Sequence, residues 1–427
     1  MTEVIKRDGS LQPFDKQKII DSINKAFIET RHALNEDTSK LSASIAEVIS
    51  TKTKTLSVED IQDIIVYKLM ASKYKDVAEA YTNYRYLHEL ARTQYKDLMS
   101  AIWDKIGAAN VENQNANVDE KSFGGRAGEV NRLVLKKLAL DYCMPLKHKE
   151  NHVNNEIYIH DLDSFALGMH NCLSIPFDDL LSNGFNTRQT DVRPAQSLST
   201  AFQLVAVVFQ LQSLQQFGGV SATHLDWTMV PYVRKSFHKH WLDGMIYIGG
   251  TTDYKVSADY KAMFGNKKIE DISIDDAIYQ ANNSVYQYAL DMTEREARQS
   301  VEGMYHNLNT LQSRSGNQLP FSSTNAGTCT LPEGRMIIKA LLNASLDGVG
   351  KLHKTSVFPC NIFQLKTGVN RHPGDPNYDL FRLALQSTAK RLYPNYANVD
   401  WSGNAGYDEN DPKTYFSTMG KRKLQPI

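Results

Sequence analysis

The chain has 427 residues, 48 basic and 48 acidic, and no formal net charge. That length predicts two or three domains, or one small and one large, and the balanced charge excludes a general attraction to nucleic acid or to membrane surfaces. The four cysteines, Cys143, Cys172, Cys329 and Cys360, form no CxxC pair, which argues against a zinc site or a disulfide framework and for a reducing cytoplasm.

The N-terminal "MTEVIKRDGS" has no apolar core, so no secretory signal is expected. "VIKRDGSLQPF" alternates and carries Asp8-Gly9, a hairpin turn signal. Asp15 is placed to cap a helix whose Ile19, Ile20, Ile23 and Phe27 share a face. A second helix fits "TSKLSASIAEVIS". A third begins at Ser57, with Asp60 three residues on as a capping-box variant, and buries Ile61, Ile64, Ile65 and Leu69. A fourth runs from about Asp76 to Tyr95. Lys6 and Arg7 precede the glycine turn, and Lys18 falls in the first helical turn. A helix N-terminus with three cations nearby suits a polyphosphate. The plainer alternative is a solvated basic strand edge.

From residue 94 onward no linker or repeat interrupts the chain. Helical stretches such as 195–217 and 276–300 alternate with short β-like runs such as "EIYIHDL", which predicts a mixed α/β domain. The charge-free stretch between Arg193 and Asp226 is broken by Gln203, Gln210, Gln212, Gln215 and Gln216. Its pure apolar run is therefore too short to span a bilayer, and it reads as a helix buried in a core or subunit interface.

Four segments carry possible chemistry. In residues 113–130, "NQNANVDEKSFGGRAGEV", the Gly124-Gly125 pair is either a turn or a place where backbone approaches a ligand. In "EIYIHDLDSFALGMHNCLSI" a strand is expected to end at His160-Asp161, followed by His170-Asn171-Cys172. A cysteine beside a histidine is either an activated or redox thiol or a buried structural residue. In "GGVSATHLDW" the Gly218-Gly219 pair reads as a helix C-cap. Residues 309–328, "NTLQSRSGNQLPFSSTNAGT", are rich in hydroxyls and amides, with Arg314 the one charge. They form either a surface loop or a site for sugar hydroxyls and phosphates.

"VIKRDGSLQPFDKQKI", "SVEDIQDIIVYKLM" and "VAEAYTNYRYLHE" together resemble the ATP-cone, a nucleotide-sensing domain. The resemblance implies that Lys6, Arg7, Gly9 and Lys18 approach the phosphates of ATP or dATP, and that Val58, Gln62 and Arg85 lie around the nucleoside. Behind the cone, "NANVDEKSFGGR", "YIHDLDS", "MHNCL", "GGVSATHLDW" and "GDPNYDL…AKRLYP" occur in the order found in anaerobic (class III) ribonucleoside-triphosphate reductases, which the chain resembles as far as about Gly420. The implied fold class is α+β/α/β: a helical cone over 1–93, then, over 94–420, the first part of a ten-stranded α/β barrel of the ribonucleotide reductase and glycyl-radical type.

The resemblance also implies a mechanism. A radical-SAM activase generates a glycyl radical, which passes to a cysteine that abstracts the 3′ hydrogen of a ribonucleoside triphosphate. The 2′ hydroxyl then leaves as water, a second cysteine donates hydrogen, and formate supplies the electrons. Cys172 matches that second cysteine. A thiol is needed on the sugar face that loses the hydroxyl. Candidate substrate contacts are His170, Asn171, Ser221, Ser322 and Ser323. The family is a homodimer, and neither nucleic acid nor membrane is an expected partner.

In the family the radical-bearing cysteine follows a Met-Gly step, as Met-Gly-Cys-Arg. Here Met419-Gly420 is followed by Lys421-Arg422, and an ammonium cannot host a thiyl radical. Residues 421–427 are therefore expected to be a non-family tail. Zinc and the glycyl radical are expected only in a missing C-terminal part, through an interrupted or frameshifted gene. The chain alone is expected to bind ATP or dATP and reduce nothing, unless a separate chain supplies the remainder. Cys360, flanked by Phe358 and Phe363, reads as packed rather than as a radical site, and Cys143 and Cys329 as structural. Two alternatives are a nucleotide-responsive cone regulator without catalysis and a non-reductase glycyl-radical enzyme. The first lacks the zinc-binding cysteines that precede the cone in such repressors, and the second would lack a cone.

Overall fold

A computed structural model describes residues 3–7, 9–107, 121–168, 171–216, 218–251, 258–314, 317–400 and 406–418. It divides into two compact units, 1–104 and 105–427.

In the first unit, β1 (Glu3–Ile5) pairs antiparallel with β2 (Leu11–Pro13) and parallel with β3 (Leu56–Ser57). The hairpin is closed by Lys6 N–H to the Ser10 carbonyl at 2.8 Å, and Gly9 takes φ +83°, the left-handed region glycine tolerates. Four helices follow: α1 (Lys16–Glu29), α2 (Glu36–Ser50), α3 (Val58–Met70) and α4 (Lys75–Gly107). The expected caps are present. Asp15 accepts from the Gln17 and Lys18 N–H groups, and Ser57 and Asp60 form a reciprocal capping box. Ile23, Phe27, Ile45, Ile49, Ile61, Ile65 and Leu69 fill the core. The fourth helix runs well past Tyr95, because its register of apolar and good helix-forming residues meets no glycine or proline before Gly107.

The second unit begins with α5 (Phe123–Leu138), a π-turn (Ala139–Cys143), α6 (Leu146–Val153) and a 3-10 turn (Leu162–Leu167). "EIYIHDL" forms no strand. Its alternation lacks a partner: the Glu156 and Ile157 amides bond back to the Asn151 carbonyl, and Ile157 and Tyr158 are exposed. Gly124-Gly125 lies inside α5, where a Cβ on Gly124 would stand 2.3 Å from Asn317 Oδ1, so the close approach is to the chain's own side chain.

Next come β4 (Leu173–Ile175), α7 (Phe177–Asn183), a small hairpin of β5 (Phe185–Asn186) and β6 (Asp191–Val192), α8 (Leu198–Ser213) and β7 (Val220–Ala222). They are followed by α9 (Leu225–Thr228), α10 (Val230–Tyr247), α11 (Ala258–Phe264), α12 (Ala277–Gln280), α13 (Asn283–Thr310) and β8 (Ser322–Ala326). The unit closes with α14 (Pro332–Asp347), β9 (Cys360–Leu365), α15 (Tyr378–Arg391) and β10 (Asn395–Asn398).

β4, β7, β8, β9 and β10 form one five-stranded sheet in the order β10-β9-β8-β7-β4, and every pair is parallel. Parallel strands need crossover connections, and helices supply them, so the α/β organisation follows from topology. Ile175, Val220, Ala222, Ala326 and Phe363 point to one face and join the helices in the main core. Among the described residues no helix is long and apolar enough to cross a membrane.

Candidate active site

Side chains alternate between the two faces of a strand, so register sorts them. Ser174 pairs with Ser221, Ser221 with Ser323, and Ser323 with Cys360. The three serines share the face opposite the helices, as do Asn325, Ile362 and Gln364 further along β8 and β9, while Cys360, at the start of β9, packs against the main core. By the same alternation Cys172, two residues before Ser174, belongs to that face. Over β4, β7 and β8 it is thus built of hydroxyls, an amide and a thiol. Over β9 and β10 it turns apolar, and there Tyr415 and Phe416 pack on Ile362, Ala397 and Val399. A sheet face that carries buried polar groups instead of a helix is suited to a polar ligand.

Cys172 is buried. Its thiol accepts the Gly219 N–H at 3.4 Å and donates toward Asn171 Oδ1 at 3.8 Å. Gly218-Gly219 is not a helix cap. α8 has already ended at Ser213, and the two glycines close on the cysteine: a Cβ at 218 would lie 1.4 Å from the Asn171 carbonyl oxygen and 2.6 Å from Cys172 Sγ. Gln216 Nε2 holds the turn by donating to the Gly219 carbonyl at 2.7 Å.

The sequence-predicted substrate residues separate. Asn171, Cys172, Ser221 and Ser323 are brought to this neighbourhood. Ser322 is not: it pairs with Val220 on the helix-packed face, where its hydroxyl is buried without a hydrogen-bond partner. His170 lies outside the described residues, as do Asp8, 115–120 and 419–427. The described residues of 309–328 do not form one surface loop, since α13 extends to Thr310 and β8 is wholly buried.

The other cysteines differ from one another. Cys143 is exposed rather than packed, Cys329 is buried with its thiol pushed up by burial, and Cys360 is half-buried with Sγ 3.6 Å from Tyr393 Oη.

Several residues not singled out from the sequence stand out here. Arg314 is buried, with its guanidinium 4.0 Å above the Phe321 ring. Burial, then the Arg132 charge, bring it down to about 10, against the opposing influence of Asp161, Asp163 and Cys172. At the C-terminal ends of β4 and β7, Asp178 receives His224 Nε2 at 3.1 Å, Thr228 Oγ1 at 2.6 Å and Lys413 Nζ at 3.0 Å. Fully buried Asp226 accepts the backbone N–H groups of Gly327, Cys329 and Trp227 at 2.9–3.1 Å and fixes the turn that follows β8. The signal for Asp226 was "THLDW" itself, and for Asp178 "PFDDL": polar residues just after a strand, where open α/β sheets bind ligands. A cavity of about 430 Å³ between α13 and α14, lined by Arg295, Arg298 and Lys339 among others, lies on the helical side and not on the polar face. Among the described residues no group of three His, Cys, Asp or Glu is placed to hold a metal.

In the first unit, Arg7 bonds Glu59 at 2.6 Å and Gln62 at 3.3 Å, and Arg85 is ion-paired with Asp63. Arg7, Gln62 and Arg85 therefore gather on the α3 side of the hairpin. Both arginine charges act on Tyr81, whose phenol is raised chiefly by burial and donates no clue in the sequence. Lys18 lines a separate cavity of about 360 Å³ with Lys25, Tyr81 and Tyr84. Val58 is half-buried against the core.

The family profile for anaerobic ribonucleoside-triphosphate reductase matches residues 114–424, and that for the ATP cone domain matches 2–90. The chain belongs to the anaerobic ribonucleoside-triphosphate reductase family. It is 32% identical over 401 residues to the anaerobic ribonucleoside-triphosphate reductase of Haemophilus influenzae, covering 93% of this chain and 52% of that protein. With the Escherichia coli protein of that name it shares 29% over 403 residues, covering 93% and 51%. The chain thus spans about half the length of the curated reductases it matches. A crystal structure of the anaerobic ribonucleotide reductase from Thermotoga maritima with dATP bound in the specificity site covers 72% of this reductase-family chain and 51% of its own, at 13% identity and a TM-score of 0.43.

Proposed function

We propose that this chain carries the nucleotide-sensing cone, over 1–93, and the Cys172-bearing part, over 94–420, of an enzyme that reduces ribonucleoside triphosphates to deoxyribonucleoside triphosphates under control by ATP and dATP. The observation that carries the reading is the position of Cys172: a buried thiol at the edge of a sheet face that presents Ser174, Ser221, Ser323 and Asn325. Hydroxyls and an amide suit a sugar. The thiol, its S–H directed at the Asn171 amide oxygen, is held as a hydrogen donor rather than as a metal ligand. In this role its hydrogen atom goes to the sugar carbon whose hydroxyl, taking up a proton, has left as water, and formate, oxidised to carbon dioxide, supplies the two electrons and returns hydrogen to the sulfur. Formate is the proposed reductant, a radical-SAM activase the proposed partner, and a cytoplasmic homodimer the proposed setting. In the cone, Arg7 receives the nucleotide by exchanging Glu59 for phosphate, while Arg85, paired with Asp63, lies beside the nucleoside.

Equilibrium binding on the full chain tests both sites at once. ATP binding is expected to fall in Arg7→Ala and to survive Ser221→Leu. Binding of a ribonucleoside triphosphate such as CTP is expected to show the reverse. No measurable binding of either nucleotide to the wild type sinks the reading.

A further inference from the structure

Asn325, fully buried near the end of β8, is the residue where the polar face meets the segment running toward position 419. Its Oδ1 accepts the Thr418 N–H at 3.2 Å. Its Nδ2 lies 3.0 Å from each of three acceptors: the Thr418 carbonyl, Ser221 Oγ and the Ala222 carbonyl. An amide nitrogen has two hydrogens, so three acceptors share them. Thr418 is gripped in both directions, as a neighbouring strand would grip it, while the same amide is tied to β7.

We propose that Asn325 is a positioning residue: it seats segment 415–418 on the Cys172 face and fixes the Ser221 hydroxyl as a donor toward that face. The role rests on the reading of this face as the reaction face.

Two further observations support it. A second bond from the sheet to the segment, Gln364 Nε2 to the Phe416 carbonyl, is longer at 3.3 Å. Tyr415 and Phe416 bury themselves on β9 and β10, which fixes the segment across the sheet but not along the strands, because apolar packing is non-directional. The directional bonds to Asn325 set the position along the strands. On the second point, a serine oxygen offers two lone pairs and one hydrogen. With Asn325 donating into the oxygen, the Ser221 hydrogen is left to point elsewhere. Ser221 pairs with Ser174, two residues from Cys172, so a shift of Thr418 reaches, through the Asn325 side chain, the strand that directly follows the thiol.

Hydrogen–deuterium exchange on the full chain tests this without reference to catalysis. In Asn325→Leu the amides of 415–418 are expected to exchange about tenfold faster or more, while those of 322–324 and 361–364 stay within about threefold of wild type. Unchanged exchange at 415–418 overturns the proposal, and so does an equal rise across the strands, which marks Asn325 as a sheet residue only. Should Asn325→Leu fail to fold, Thr418→Pro removes the N–H from the other side without touching the sheet, and the amides of 415–417 must loosen.

Asn325→Asp adds a pH readout. The protonated acid keeps one donor and one acceptor, whereas the carboxylate has acceptors only. The exchange of 415–418 relative to wild type at the same pH is therefore expected to rise about tenfold from pH 5 to pH 8. A flat ratio overturns the proposal. Failure of the reductase reading appears in nucleotide binding, and failure of this one in exchange, so the two are separable.

Discussion

Gly218 and Cys172 are packed so closely that a methyl group on the glycine would stand 2.6 Å from the thiol sulfur, and nearer still to the Asn171 carbonyl. The second glycine of the pair supplies the N–H that bonds the sulfur. The turn after α8 is therefore the wall against which the thiol rests. Gly218→Ala is expected to cost about 2–4 kcal/mol of stability, because the obstructing atom is backbone and cannot swing aside. Urea unfolding measures the loss. Alkylation of Cys172 under native conditions should accelerate in parallel. A variant with unchanged stability and thiol reactivity would contradict the packing.

The cone makes a contrasting prediction about charge. Arg7 is held by Glu59 and Gln62 on the first turns of α3, so a triphosphate must displace the Glu59 carboxylate. Arg7→Ala is expected to weaken ATP about tenfold or more. Glu59→Gln keeps the shape and removes the competing charge, and is expected to tighten ATP by about threefold. Calorimetric titration at low and at physiological salt checks both. The Glu59→Gln gain should shrink as salt rises, since these side chains are solvent-exposed.

Two acids near the C-terminal ends of the strands have opposite pH signatures. Burial opposes ionisation of Asp178, but hydrogen bonds from His224, Thr228 and Lys413 outweigh it and hold the carboxyl well below the ordinary 3.8. A depressed folded pKa means stability that is complete above the unfolded value and lost as pH falls below it. Burial pushes Asp226 the other way, against the backbone bonds from Cys329 and Gly327. Its contribution is complete below the ordinary value and is lost as pH rises through the folded one. Asp178→Asn is expected to cost about 1–2 kcal/mol at pH 7 and to flatten the acid limb of stability below about pH 4. Asp226→Asn is expected to leave that limb in place. Melting curves from pH 2.5 to 8 separate the two.

The cone was largely legible in the sequence, and the reason is local. Asp15, Ser57 and Asp60 act on backbone groups two or three residues away, so the caps are written next to the helices they start. The five-stranded sheet was much less legible. β8 reads Ser-Ser-Thr-Asn-Ala and is buried on both faces, so burial leaves no polar–apolar alternation to detect. "EIYIHDL" does alternate, yet among the described residues no strand pairs with it. Cys172 and Ser221 were found through motif resemblance. That they share a face is a property of register, set by residues nearly fifty positions apart. Asn325 and Thr418, ninety-three positions apart, left no local signal at all.

Neighbouring serines on β8 offer the sharpest test of that register. Ser322 faces the helices and its hydroxyl is buried without a hydrogen-bond partner, whereas Ser323 lies on the face of Cys172 and pairs with Ser221. A buried unsatisfied hydroxyl costs free energy, so removing it leaves a small cavity but relieves that cost. Ser322→Ala is therefore expected to be neutral or to stabilise by up to about 1 kcal/mol, with ribonucleoside triphosphate binding unchanged. Ser323→Val fills the polar face with an apolar group of similar width. It is expected to weaken that binding about tenfold while unfolding shifts by less than about 1 kcal/mol. The pair of variants is measured by urea unfolding and equilibrium dialysis on the full chain. If Ser322→Ala lost nucleotide and Ser323→Val kept it, β8 would be turned by one residue. The β8 side chains assigned to the reaction face, Ser323 and Asn325, would then belong to the core.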